Sequence, residues 1–216
     1  MKKRLAIRWI LFILGIVILT FGARLILLST LGVGGLDAIA IGLAKRFGYS
    51  IGGVIVLLGI ALIIIGGLLI RHLSILPIGT SLLVGHLYNI WGSVLFDKVQ
   101  SPTVTEHIGY TFLAGILIAP FGAAIYILSE ISMGPVDYLM MAIRQRFDIS
   151  MQAGRILIET SFVIIGLLVG GSIGIGTVCI MLFWGPILQV YYQFLERHLK
   201  KYLFEKKDIS NKENSH

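Results

Sequence analysis

Leu28-Ser-Thr-Leu-Gly-Val-Gly-Gly-Leu-Asp-Ala-Ile-Ala-Ile-Gly-Leu-Ala-Lys-Arg-Phe-Gly-Tyr-Ser50 decides the fold, because it occurs twice. One hundred residues later the chain reads Leu128-Ser-Glu-Ile-Ser-Met-Gly134-Pro135-Val-Asp137-Tyr-Leu-Met-Met-Ala-Ile-Arg-Gln-Arg146-Phe147-Asp-Ile-Ser150. Without a gap, Ser29 matches Ser129, Gly34 matches Gly134, Asp37 matches Asp137, Arg46 matches Arg146 and Ser50 matches Ser150. The register holds upstream as well, at Phe12/Phe112, Gly15/Gly115, Phe21/Phe121 and Gly22/Gly122, and more loosely downstream at Gly66/Gly166 and Gly85/Gly185. A shared register of this length reads as internal duplication.

Composition sets the solvent. Of the 216 residues, 56% are hydrophobic and 13% charged, against about 25% charged in ordinary globular domains. Several continuous apolar runs approach the roughly 20 residues that a helix needs to cross hydrocarbon. Continuous rather than alternating runs mean helices, not a β-barrel. The net charge of +7 gathers at the ends, with Lys2, Lys3, Arg4 and Arg8 before the first run and Arg197, Lys200, Lys201, Lys206, Lys207 and Lys212 after the last. In a membrane protein that pattern is topology and headgroup contact rather than a nucleic-acid surface. Cys179 is the single cysteine, so no intramolecular disulfide and no cysteine-built zinc site is available.

Taken in order, the chain predicts an all-α membrane protein of two homologous repeats, each with three long spans and one short half-helix. The expected organisation is a basic cytoplasmic N-terminus over 1–8, a first membrane repeat over 9–96 and a linker over 97–108. A second repeat over 109–195 and a basic amphipathic tail over 196–216 complete it. The spans are read at about Trp9–Leu28, Ile51–Ile70 and Leu73–Phe96, then at Tyr110–Leu128, Met151–Val169 and Ile173–Leu195. Arg24, near the end of the first span, is expected to reach the interface. Between spans one and two, Ser29–Gly35 is too glycine-rich to continue a helix. The stretch from Leu36 to Phe47 then carries Asp37 in its first turn and Lys45 and Arg46 in its last, the order that suits a helix dipole. Pro135 fits the first helical position of the second copy. About twelve residues make about 18 Å of helix, half a bilayer. Ser50 and Ser150 read as N-caps of the next spans.

Two topologies follow. If each half-helix dips to mid-membrane and returns, each repeat has three spans and the copies are inverted. If the glycine-rich piece and half-helix together cross, each repeat has four crossings and the copies are parallel. The inverted form puts Lys45, Arg46 and Lys98 outside and Arg71, Arg144, Arg146 and Arg155 inside. The parallel form leaves only Arg71 outside, which satisfies the positive-inside rule better. Half-helix length favours the inverted 3+3 form, which is the preferred expectation. Both forms place the two termini in the cytoplasm.

Asp37 and Asp137 are the leading site residues, because a carboxylate at bilayer depth is costly and is usually functional or paired. With Gly34, Gly35, Gly134 and Pro135 they form two helix starts able to meet a solute or ion. The competing reading has both aspartates satisfying first-turn N–H groups near the interface. Glu159 lies within a span with Arg155 one turn earlier, a spacing that predicts an ion pair. Arg46 and Arg146 would either line a vestibule or rest at the interface. His86, Tyr88 and Asn89 form a polar patch suited to interhelical hydrogen bonds. Trp9, Trp91, Tyr191 and Tyr192 read as interface anchors. No H-E-x-x-H, Walker loop or His/Cys ligand cluster occurs, so no enzyme, cofactor, metal or catalytic residue is expected.

The duplicated Leu-Ser-x-x-Gly-x-Gly-(Gly/Pro)-x-Asp element resembles that of the YczE/YyaS/YitT-type family of bacterial membrane proteins, over about Trp9 to Tyr192. The resemblance implies a multi-pass bacterial plasma-membrane protein and supplies no site residues. The function expected from the residues is a secondary transporter or channel-like permease for a small solute, with the site between the half-helices. The alternative is a non-transporting membrane protein that stabilises or localises another protein. The partners expected are the lipid bilayer, a small solute or ion, and a second copy or a membrane protein partner, with no nucleic acid.

Overall fold

A computed structural model describes residues 2–96 and 105–204. Every regular element among them is helical: α1 Lys2–Leu28, α2 Gly35–Phe47, α3 Ile51–Ile70, α4 Leu76–Trp91, α5 Thr105–Leu128, α6 Pro135–Phe147, α7 Met151–Leu168 and α8 Ile175–Phe204. A π-helical turn, Gly92–Phe96, extends α4. Four stretches are long and apolar enough to cross a membrane, at Arg4–Leu28, Ile51–Ile70, His107–Leu128 and Ile175–Leu199. The chain is a helical membrane protein.

The boundaries differ from expectation where charge or proline acts. The basic N-terminus does not form a separate segment, because α1 already begins at Lys2. The basic tail likewise continues α8 as far as Phe204. The expected stretch Asp208–His216 lies outside the described residues, as do 97–104 of the expected linker. α4 starts at Leu76 rather than Leu73 because Pro77 occupies its first turn. Proline presets φ there, and its missing N–H is one the first helical turn leaves unpaired anyway.

The quoted stretch and its counterpart fold alike, residue by residue. Ser29 and Ser129 each end a helix by donating their hydroxyl to a carbonyl three residues back, Ile26 O at 2.6 Å and Tyr126 O at 2.5 Å. Thr30 and Glu130 follow at φ 58° and 50°, and Gly48 and Asp148 close the half-helices at φ 73° and 53°. Gly34 and Gly134 are extended N-caps with no side-chain cap. Ser50 and Ser150 accept hydrogen bonds from the N–H groups of Gly53 and Ala153, as N-caps of α3 and α7.

The centre of the fold is the crossing of α1 and α5. A Cβ placed on Gly15 would fall 2.5 Å from the Tyr126 nitrogen, and one on Gly22 2.5 Å from the Ala119 nitrogen. One on Gly115 would fall 2.7 Å from Ile26 Cγ1. In lipid, where apolar surface gains little by leaving the solvent, close packing over such small residues replaces hydrophobic drive. As α1 advances through Gly15, Gly22 and Ile26, its partners on α5 recede through Tyr126, Ala119 and Gly115. The two helices are therefore antiparallel. Arg8, near the start of α1, accordingly meets the end of α5, with Nε 2.6 Å from Ser129 O and a 3.3 Å ion pair to Glu130.

Around this crossing α2 packs on α7 and α6 on α3. The outer helices break the likeness. α4 packs closely on α3, whereas α8 packs on α5 with no comparable packing on α7. At the offset pair Gly85 and Gly185 the contrast is local. A Cβ on Gly85 would collide with Gly52 and Val56 of α3, whereas Gly185 has nothing within 4 Å among the described residues.

Candidate functional site

The placement of α2 and α6 follows from what they touch. Gly35, the first residue of α2, lies under Phe162 in the body of α7, and a Cβ there would come within 2.7 Å of the phenylalanine Cβ. Further along α2, Gly42 lies against Val169 and Gly171, just past the end of α7. α2 therefore begins part-way along α7 and runs with it toward one face. α6 repeats the arrangement on α3: Pro135 lies against Gly59, and Tyr138 and Ala142 against Gly66. The Tyr138 hydroxyl then donates to His72 O in the turn after α3.

The N-terminal ends of the half-helices converge. Gly34, Gly35, Asp37, Gly134, Pro135, Asp137 and Glu159 all line one cavity of about 240 Å³. Arg155, Thr20, Thr80, Tyr88, Tyr126, Phe162 and Trp184 line it too, with aliphatic side chains of α1, α3, α4, α5 and α8 filling the rest of the wall. Sequence distance made this juxtaposition invisible to any local pattern; only the repetition of the Gly-Asp element hinted at it. Arg46 and Arg146 are exposed near the C-terminal ends of α2 and α6 and are not among the lining residues.

Each acidic group is held differently. Tyr126 donates its hydroxyl to Asp137 Oδ2 at 2.8 Å. Glu159 pairs with Arg155 one turn earlier on α7, 3.9 Å apart, at the spacing the sequence predicts. Asp37 has no hydrogen bond or ion pair to any described residue, although Glu159 and Arg24 both act on it electrostatically. Arg24, expected to reach the interface, packs onto α4. It turns inward, donating from Nε to Tyr88 O at 2.7 Å and laying its guanidinium 4.3 Å from the centre of the Tyr88 ring. A buried carbonyl and an aromatic face together satisfy a cation that the surrounding lipid could not.

Tyr88 itself is 1% exposed, and its hydroxyl is buried without a hydrogen-bond partner among the described residues. Its neighbours in the polar patch diverge. Asn89 accepts from Gly52 N at 2.9 Å and donates to Ser50 Oγ at 3.1 Å, tying α4 to the start of α3. His86 is exposed. Trp91 is a second correction: its Nε1 donates to Thr20 Oγ1 at 3.1 Å and its ring meets Phe21 edge-on. A polar partner on α1 draws this indole into the bundle rather than to the headgroups. Trp9, by contrast, is 45% exposed.

Among the described residues, no group of three or more His, Cys, Asp or Glu side chains stands in position to hold a metal ion. The arrangement offers a mostly apolar chamber with carboxylates at two facing helix starts, a chemistry of binding and charge balance.

Residues 6–193 match the family described as "Family of unknown function (DUF6198)". The chain is 29% identical to "Uncharacterized protein YyaS" of Bacillus subtilis, over 86% of this chain and 92% of that one. It is 31% identical to an "Uncharacterized protein" of Haemophilus influenzae over 83% and 81%, respectively. It is 27% identical to "Uncharacterized membrane protein YczE" of Bacillus subtilis over 88% and 87%. No solved structure matches it. With nearly its whole membrane region inside the match, the chain belongs to the DUF6198 family, the group in which YyaS and YczE are its relatives.

Proposed function

We propose that this chain is a secondary permease for a small solute, built as two inverted halves that hold the solute between their half-helices. The observation that carries the reading is the meeting of both Gly-rich breaks and both aspartates, a hundred residues apart, on one cavity. Irregular backbone and carboxylates inside a membrane protein are tolerated where they face a polar cavity, and discontinuous helices are the usual way of building such a site. The antiparallel crossing of α1 and α5 supports inversion, since parallel copies would send these two equivalent helices the same way. On this reading both termini are cytoplasmic, by their lysines and arginines.

The unequal outer helices supply the access route. With α4 packed on α3 and α8 off α7, entry on this reading is assigned to the gap between α7 and α8. Exchanging the two packings would close that route and open the equivalent one between α3 and α4. A solute held by Asp37 and Asp137 would then face the other side.

The test is release of a labelled small-metabolite extract from proteoliposomes. The wild-type protein should accelerate loss of at least one component, and Asp37→Asn with Asp137→Asn should abolish that flux while leaving insertion intact. Flux equal to wild type in the double variant removes the aspartates from the mechanism. The exposure of α8 along most of its membrane length favours one rival, a non-transporting protein that docks a membrane partner on that helix. Co-purification of one stoichiometric partner, with no flux of any component, would decide for it.

A further inference from the structure

We infer that the cavity between the half-helices binds a small organic cation, a protonated amine on a compact apolar body. The inference rests on the permease reading for its purpose, but its chemistry stands on the cavity alone. An anion is disfavoured at the places where a helix end would otherwise attract it. Both aspartates curl back over the start of their own helix: Asp37 Oδ2 lies 3.6 Å from a Cβ placed on Gly34, and Asp137 Oδ2 3.2 Å from one placed on Gly134. A ligand carboxylate or phosphate would meet these two carboxylates first.

What is left unsatisfied asks for a donor. Asp137 has Tyr126 and Glu159 has Arg155, but Asp37 has no hydrogen bond among the described residues. The Tyr88 hydroxyl, on the same cavity, is buried without a partner and feels the charge of Asp37. An ammonium carries several donors and no acceptor, so it can serve the Asp37 carboxylate and, once the ring turns its buried hydroxyl toward the cavity, the Tyr88 oxygen as well. Charge agrees. Asp37, Asp137, Glu159 and Arg155 line the cavity and Arg24 lies behind it on the Tyr88 ring; with all five ionised, three minus two leaves one negative charge for a monocation to balance.

The walls then choose an organic cation over a bare one. Phe162, Tyr126 and Trp184 offer aromatic surface suited to an alkylammonium; one face of Tyr88 is already taken by Arg24. The metal-ligand grouping that an inorganic divalent cation would need is missing among the described residues. At about 240 Å³ the cavity falls below the roughly 300–1,000 Å³ of drug-sized sites, which limits the body to a few carbons.

The experiment is calorimetric titration of the full chain in nanodiscs at pH 7 with three probes of one shape: cyclohexylammonium, cyclohexanol and cyclohexanecarboxylate. Saturable binding of the ammonium alone is expected. Asp37→Asn should weaken it at least tenfold, and Tyr88→Phe should weaken it several-fold while leaving the protein at least as heat-stable as wild type. Should Asp37→Asn fail to give monodisperse protein, the Tyr88→Phe arm still decides. Alcohol or carboxylate binding as tight as the amine, or amine binding indifferent to these variants, overturns the proposal, as does no amine binding at millimolar concentration. In that last case, Asp37-dependent release of another labelled solute would leave the permease reading standing. Amine binding without amine uptake into proteoliposomes would keep the site and sink the permease.

Discussion

The Tyr126 hydroxyl donates a 2.8 Å hydrogen bond to Asp137 Oδ2, and Asp37, at the matching position of the first half, has no such donor because Ile26 stands where Tyr126 would. The two half-helices thus begin alike in backbone and unlike in how their carboxylates are satisfied. Tyr126→Phe strands the Asp137 carboxylate in a cavity wall, and losing a partner from a buried polar group costs about 1–3 kcal/mol. Tyr88→Phe removes a hydroxyl that has no partner among the described residues. We expect Tyr126→Phe to lower thermal stability in nanodiscs and Tyr88→Phe to leave it equal or raised. Equal losses in both would mean that the tyrosines act through ring packing alone.

Four of the six expected spans, the short helices α2 and α6 and both serine N-caps were legible in the sequence because they are local: apolar runs, a glycine break, a cap residue at a fixed offset. The ion pair of Arg155 with Glu159 was legible for the same reason. Arg24 and Trp91 were not. Each was assigned outward by residue type, whereas Arg24 finds Tyr88 and Trp91 finds Thr20, partners more than sixty residues away. The bond of Tyr126 to Asp137 crosses a helix end and a glycine turn that no periodicity describes. The opening at Gly185 was hidden for a different reason. Its sequence matches Gly85, and the two differ only in which helix lies alongside.

The α1–α5 crossing predicts a sharp steric limit. Gly15→Leu would drive a side chain into the Tyr126 backbone, where the nearest atom is main chain and cannot rotate away. Overpacking of this kind typically costs about 1–3 kcal/mol, more where backbone must shift. Loss of monodisperse protein on detergent extraction is expected for Gly15→Leu. Gly109→Leu, where nothing lies within 4 Å among the described residues, should behave as wild type.

The unequal packing of the outer helices predicts a conditional cross-link. Ile156 of α7 is 58% exposed and Gly185 of α8 is open, whereas their offset counterparts Val56 and Gly85 are in contact. In a Cys179→Ala background, Ile156→Cys with Gly185→Cys should form a disulfide under mild oxidation, because the exchange of packings brings those positions together. The cross-link should stop flux and reduction should restore it. Undiminished flux in fully cross-linked protein would remove the α7–α8 movement from the mechanism.

The direction of the half-helices is open to a labelling test at Lys45. It lies exposed in the last turn of α2, beyond the point where α2 passes the end of α7. If α2 dips and returns to the face at which α1 ends, Lys45 is on the side opposite the N-terminus; if α2 completes a crossing, it is on the same side. The antiparallel α1 and α5 favour the first. With Cys179→Ala and Lys45→Cys in intact cells, an impermeant maleimide should label the protein from outside, and a cysteine placed at Arg4 should be labelled only after permeabilisation. The reverse pattern at both positions would turn the whole protein over in the membrane. Protection of both positions would instead point to parallel copies, and would have to be reconciled with a crossing in which α1 and α5 run in opposite directions.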